Sequence, residues 1–145
     1  MPAAAGAAVG VASAHVMFAK PFDEFSLHER AGFSQAFSEF VATFGLLSVI
    51  WGCSRRHPKA VAFAVGAYIT GAYWCTASTS FANPAVTIAR TLTNTFSGIR
   101  PVDAPAFIGA QVIGAATATL LFRWLVPALP RSTEQVVLPH EQSRL

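Results

Sequence analysis

The residues able to do chemistry gather in one short stretch, Ser80-Phe81-Ala82-Asn83-Pro84-Ala85-Val86-Thr87. Asparagine is a strong helix N-cap and proline is favoured at the first helical position, so Asn83-Pro84 predicts the start of a short helix. The N-terminal end of a helix carries unpaired N–H groups and about half a positive charge. At mid-membrane such an end disfavours cations and leaves the Asn83 amide free to donate a hydrogen bond to a neutral solute. On its own the pair is an ordinary loop-to-helix junction. Glu39 is the second conspicuous residue, an acid inside an apolar run. An ionisable group there is costly and implies a partner or a cavity. His15, also in an apolar run, is expected at the interface near the end of its helix rather than in a pore.

Other chemistries lack their residues. The sequence has no nucleophile elbow, no phosphate-cradling glycine loop, no paired carboxylates in a span and no metal-ligand cluster. Neither enzyme activity nor a cofactor is expected. Cys53 and Cys75 lie in apolar runs without metal-site spacing, and buried, unpaired thiols are expected. Hydrophobic residues make up 53% of the chain and charged residues 12%, with a mean hydropathy of +0.47. Soluble domains carry roughly a quarter charged residues, so the lipid bilayer is the expected surrounding. The net charge of +3 comes from basic residues in short gaps between apolar runs. That is the pattern of membrane-flanking anchors, and nucleic acid is not an expected partner. No Lys or Arg precedes the apolar start, so a cleavable signal peptide is not expected.

The elements that must position these residues follow from span length. A spanning helix needs about 20 mostly apolar residues. Residues 33–52, 60–77 and 104–126 meet or approach this, and residues 1–18 read as a partial span lacking its beginning. Residues 78–96 are too short and too polar to cross, and suit a re-entrant segment enclosed by protein or a watery cavity. The tail, residues 128–145, is polar, contains Pro130 and Pro139, and is expected to be poorly ordered. Small residues recur at every fourth position: Gly6, Gly10 and Ala14; Ala62, Gly66 and Thr70; Ala106, Ala110, Gly114 and Ala118. On helices these make smooth faces that admit close packing in lipid. Arg55, Arg56 and Lys59 set the gap 54–59 in the cytoplasm, together with the tail. The gap 19–32, with more acids than bases, then lies outside, and Arg90 and Arg100 are exceptions to the charge rule.

In this setting the Asn83-Pro84-Ala85 box resembles that of the aquaporin, or major intrinsic protein, family. Ser38-Glu39-Phe40-Val41-Ala42-Thr43 and Gly109-Ala110-Gln111-Val112-Ile113-Gly114-Ala115 resemble that family's fourth and sixth helices. The resemblance covers residues 1–127 as one transmembrane domain. It implies an all-α membrane fold, an aquaporin-like half with three full transmembrane helices, a partial N-terminal one and one re-entrant half-helix. It also implies an integral membrane channel for water or small neutral solutes. By the same resemblance Asn83 donates to the solute, Pro84 and Ala85 shape the half-helix, and Ser80, Val86 and Gly71 line the pore and filter. Glu39 is then a structural brace of the re-entrant loop rather than a proton carrier.

Two departures qualify the match. Many members place an arginine directly after this box, where this chain has Val86, which implies a wider, less polar filter. Glycerol-like polyols or uncharged metalloid hydroxides then fit better than water alone, and Gly71 adds no bulk against them. Only one box is present, whereas a family pore is built from two inverted repeats. One chain is therefore expected to supply half a pore wall, with a second copy or a complementary half-channel as partner. The alternative is a non-conducting membrane fragment that acts by associating with other subunits.

Overall fold

The structure, a computed structural model, describes residues 2–22 and 24–125. The polar tail expected at residues 128–145 lies outside the described residues. Five α-helices and one 3-10 turn make up the described part, in which no strand occurs. The fold is all-helical and matches the expected partial, aquaporin-like arrangement.

Helix α1 (Pro2–Met17) is built almost entirely from Ala, Gly and Val. It ends where Ala19 takes a left-handed φ of 49°, and the Lys20 amide returns to the His15 carbonyl at 2.8 Å. That reversal lays the Phe22 ring 5.5 Å from the His15 ring. His15 is consequently buried, at 4% exposure, two residues before the end of the helix.

Helix α2 (Phe33–Arg56) runs one turn beyond the span expected to end at Gly52. Arg55 and Arg56 in its last turn complement the negative end of the helix dipole. It stops because His57 precedes Pro58, and the proline ring disfavours helical backbone in the residue before it. After the 3-10 turn Pro58–Ala60 comes α3 (Val61–Cys75), apolar throughout. At 15 residues it spans about 22 Å, shorter than the 60–77 span expected. Helices α2 and α5 (Ala104–Leu125) are each long and apolar enough to cross a bilayer. Between α3 and α5 lie a loop and the short helix α4 (Pro84–Arg90). Both cysteines are free. Cys75 is exposed at the last residue of α3 rather than buried, because the chain leaves the helix there.

Helix α2 packs along α5 and against α3, while α4 is held between α1 and α5. The α2–α5 seam closes on Gly114: a Cβ there would lie 2.7 Å from the Phe40 carbonyl and 3.3 Å from the Thr43 Cβ. The buried face of α5 is Phe107, Gln111, Gly114 and Ala118, and Ala106 is exposed. A strict four-residue stripe drifts around a helix of 3.6 residues per turn, so spacings of four, three and four keep one face inward. Against α3 the small residue used is Gly45 of α2, where the Tyr68 ring sits and its hydroxyl donates to the Ala42 carbonyl at 2.9 Å. Gly6, Gly10 and Gly66 have nothing within 4 Å of where a Cβ would be. Those faces are open among the described residues. Large apolar side chains such as Phe63, Trp74 and Trp124 point outward, as lipid-facing surfaces require.

Candidate functional site

The loop before α4 is held by groups from three other parts of the chain. Thr79, Ser80 and Ala82 have φ of 57°, 48° and 49°, left-handed values that cost non-glycine residues about 1–2 kcal/mol each. Such backbone persists only where its surroundings over-determine it. Glu39 supplies most of that constraint. Its carboxylate accepts the Phe81 amide at 3.2 Å through one oxygen and the Ala82 amide through the other. The Ser38 hydroxyl accepts the Ser78 amide at 3.2 Å, and the Ser80 amide donates to Ser78 Oγ at 3.2 Å. The Thr79 amide donates to the Thr76 carbonyl.

The amides of residues 78–82 are thus all tied to protein, but the carbonyls are not. Only the Ser78 carbonyl is used, by Arg30. Those of residues 79–82 accept no hydrogen bond from the described residues. Every backbone carbonyl is an obligatory acceptor, so these four still lack a partner among the described residues.

The box follows directly. Asn83, in extended conformation, caps α4 by accepting the Ala85 amide at 2.8 Å through its side-chain oxygen. Its amide nitrogen makes no hydrogen bond to the described residues, and the residue is exposed. Pro84 occupies the first helical position, where its missing N–H costs nothing. Ala85 and Val86 are half-buried. Ser80 is buried with no partner for its hydroxyl. Gly71 is exposed on α3, and a Cβ there would meet nothing within 4 Å.

Three residues not singled out as site residues in the sequence complete the assembly. Gln111 of α5, 1% exposed, donates to Glu39 Oε1 at 2.9 Å and to Thr87 Oγ1 at 2.8 Å. Thr87 in turn donates to the Asn83 carbonyl at 3.1 Å. A continuous chain of hydrogen bonds therefore runs from the loop amides through α2 and α5 to the start of α4. Arg30, treated in the sequence as a loop charge, is 4% exposed. Its guanidinium donates to the carbonyls of Gly98, Ser78 and Phe96 at 2.7, 3.0 and 2.8 Å. Burial lowers its pKa from the usual arginine value, with Arg90 adding to the effect. A fork with fixed geometry can join three carbonyls where a lysine could not.

The two exceptions to the charge rule have local causes. Arg100 pairs with Asp103 at 2.9 Å and with Glu29 at 3.2 Å. Asp103 also accepts the Arg30 amide at 2.9 Å, and the Arg100 hydrogen bond holds its carboxyl below the usual carboxylate range. Arg90 lies over the Phe81 ring, 4.2 Å from its centroid, and 5.8 Å from that of Tyr73. Beside it, between α1 and α4, is a cavity of ≈ 690 Å³ lined in part by Gly10, Val11, His15, Val86 and Arg90. Val86 also packs against the apolar cluster of Phe81, Ile99 and Phe107. Of the expected pore residues Val86 lines this cavity, whereas Ser80, Asn83, Pro84, Ala85 and Gly71 do not.

Comparison with known proteins gives the same grouping. The profile of the family described as major intrinsic protein matches residues 33–144. Aquaglyceroporin AqpS of Rhizobium meliloti (strain 1021) is 55% identical over 127 residues, covering 87% of this chain and 54% of that protein. The chain thus spans about half the length of this curated relative. No solved structure matches. With a braced, strained loop, an Asn83-Pro84-Ala85 box and a family match over most of its length, this chain belongs to the major intrinsic protein family.

Proposed function

We propose that the chain forms the pore-lining portion of a passive membrane channel for water or small neutral solutes. One observation carries this reading: the unpaired carbonyls of residues 79–82 lead to the unpaired amide of Asn83. A row of acceptors ending in a donor replaces the hydration of a neutral hydroxyl-bearing molecule step by step. Glu39, Gln111, Thr87 and Arg30 keep that row rigid, so it does not collapse onto its own amides. Ser80 adds an unpartnered hydroxyl, and Gly71 on α3 adds no bulk.

Val86 sets the substrate class. It follows the box directly, is apolar, and carries no donor that would narrow the passage or favour water alone. Glycerol-like polyols and uncharged metalloid hydroxides are the solutes proposed, and the name of the R. meliloti relative, an aquaglyceroporin, supports this class. In the bilayer the gap 54–59 and the C-terminal tail face the cytoplasm.

Replacing Val86 with arginine tests the filter. In proteoliposomes, glycerol flux is expected to fall about tenfold, because a large charged side chain fills the passage. Water flux is expected to change less. Equal loss of both, or of neither, would remove Val86 from the filter.

A second reading is supported by the open small-residue faces at Gly6, Gly10 and Gly66. Such faces suit association with further helices. On this reading the chain acts within an assembly, with a second copy or a complementary half-channel. Flux in proteoliposomes holding the chain as a monomer or as a crosslinked assembly separates the two: flux from the chain alone supports the first, flux only from an assembly the second.

A further inference from the structure

Arg90 has the geometry of a ligand-binding side chain without a ligand among its own residues. Its guanidinium makes no hydrogen bond and no ion pair to the described residues, and Nη1 is enclosed with no partner. It is held instead by aromatic faces, 4.2 Å from the Phe81 centroid and 5.8 Å from that of Tyr73. Arg30, over the other contact of the same Phe81 ring at 5.1 Å, is the contrast, since its fork is filled by three carbonyls. Glu39, the acid nearest in role, is committed to the Phe81 and Ala82 amides and to Gln111. A charge left unpaired in such surroundings is expensive, and its retention implies a use.

Its position says what the use is. Val86 and Arg90 are four residues apart on α4 and so share one face. A helical side chain leans toward the N-terminus of its helix, which carries the guanidinium back onto Phe81, a member of the apolar cluster that Val86 packs against. Both residues line the cavity between α1 and α4. The other titratable groups lining it are His15, buried with neither ring nitrogen partnered, and Lys20. No acidic side chain among the described residues lines it.

We propose that Arg90 is a specificity-determining residue: its guanidinium, folded back beside Val86 on the Phe81 ring, donates to oxygen-bearing neutral solutes and repels cations. The filter position stays wide because valine occupies it, while the positive charge reaches the same region from one turn further along α4. This rests on the channel reading above, and the test separates the two. Two measurements apply, both on the full chain.

The first is flux in proteoliposomes, with glycerol as the neutral probe and methylammonium as the cation. Arg90→Leu is expected to lower glycerol flux at least about threefold and to raise methylammonium permeability at least about tenfold, with Arg90→Lys restoring exclusion. The second needs no conduction: the arginine Nε–H resonances of the ¹⁵N-labelled chain in micelles, followed during a glycerol titration. The Arg90 resonance, identified by its loss in Arg90→Lys, is expected to shift saturably while that of Arg30 stays fixed. An unmoved Arg90 resonance overturns the proposal, and so does unchanged cation exclusion in Arg90→Leu. Absence of glycerol flux in the unmodified chain counts against the channel reading alone, and the titration then decides the role of Arg90.

Discussion

Glu39 is buried completely, yet its carboxylate is well supplied with donors: two backbone amides and the Gln111 side chain. Burying a charge is tolerable only when it is paired and hydrogen-bonded. Removing it leaves the Phe81 and Ala82 amides unsatisfied beside a strained backbone. Glu39→Ala is expected to cost about 3–5 kcal/mol, since each buried donor left without its acceptor costs about 1–3 kcal/mol. Glu39→Gln, which keeps an acceptor, should cost clearly less. Thermal unfolding in detergent reads both, and equal losses would mean that one retained acceptor oxygen contributes nothing without the carboxylate's charge and second oxygen. An acid in the middle of an apolar run is legible in a sequence because little else explains it. Gln111 and Thr87 are not, since a polar residue on a helix is unremarkable until its neighbours are known. Arg30 was hidden for a different reason. Loop basic residues are normally solvated, and nothing in the order of residues 19–32 reveals that Gly98, Ser78 and Phe96 converge on one of them.

Among the elements, the start of α4 is the most readable, because capping is local chemistry: Asn83 and Pro84 determine it within a few residues. Small-residue stripes are less informative, since they mark a face without saying whether this chain fills it. Gly114 is filled, by Phe40 and Thr43, whereas Gly66 is open. Two alanine substitutions separate these cases. Gly114→Ala should destabilise by about 1–3 kcal/mol, because the added methyl meets backbone that cannot move aside. Gly66→Ala should be neutral or stabilise by about 0.5–1 kcal/mol, the gain from restricting the unfolded chain and favouring helix. Equal effects in unfolding measurements would contradict the α2–α5 packing described here. The short α3 was also beyond reach of the pattern: Thr76 and Ala77 carry no helix breaker, and only the need to turn into the loop ends the helix there.

At the scale of the whole molecule, one side of the bundle is locked by charges from distant segments. Asp103, at the entrance to α5, accepts from the Arg30 amide and from the Arg100 side chain. The Arg100 hydrogen bond is the larger cause of its lowered pKa, and burial opposes it. A carboxylate whose folded pKa lies below its unfolded one stabilises above the ordinary value and loses that contribution as pH falls through the folded one. Stability should therefore hold from neutrality down to about pH 4, the ordinary aspartate value, and decline below it. Asp103→Asn should lower stability at neutral pH and reduce the acid-induced loss. A variant with the full acid slope would place the titrating group elsewhere.

The same scale carries the main claim, that loop and box together form a solute path. The loop's amides are spent on Glu39 and its neighbours while its carbonyls and the Asn83 amide are not, so one substitution addresses the claim directly. Asn83→Asp keeps the oxygen that caps α4 and removes the amide donor, with little change in size. Glycerol flux into proteoliposomes, followed by light scattering at neutral pH, is the measurement. Flux present in the unmodified chain and lost in Asn83→Asp, with unchanged helix content, is the expected result. Equal flux in both would contradict the account.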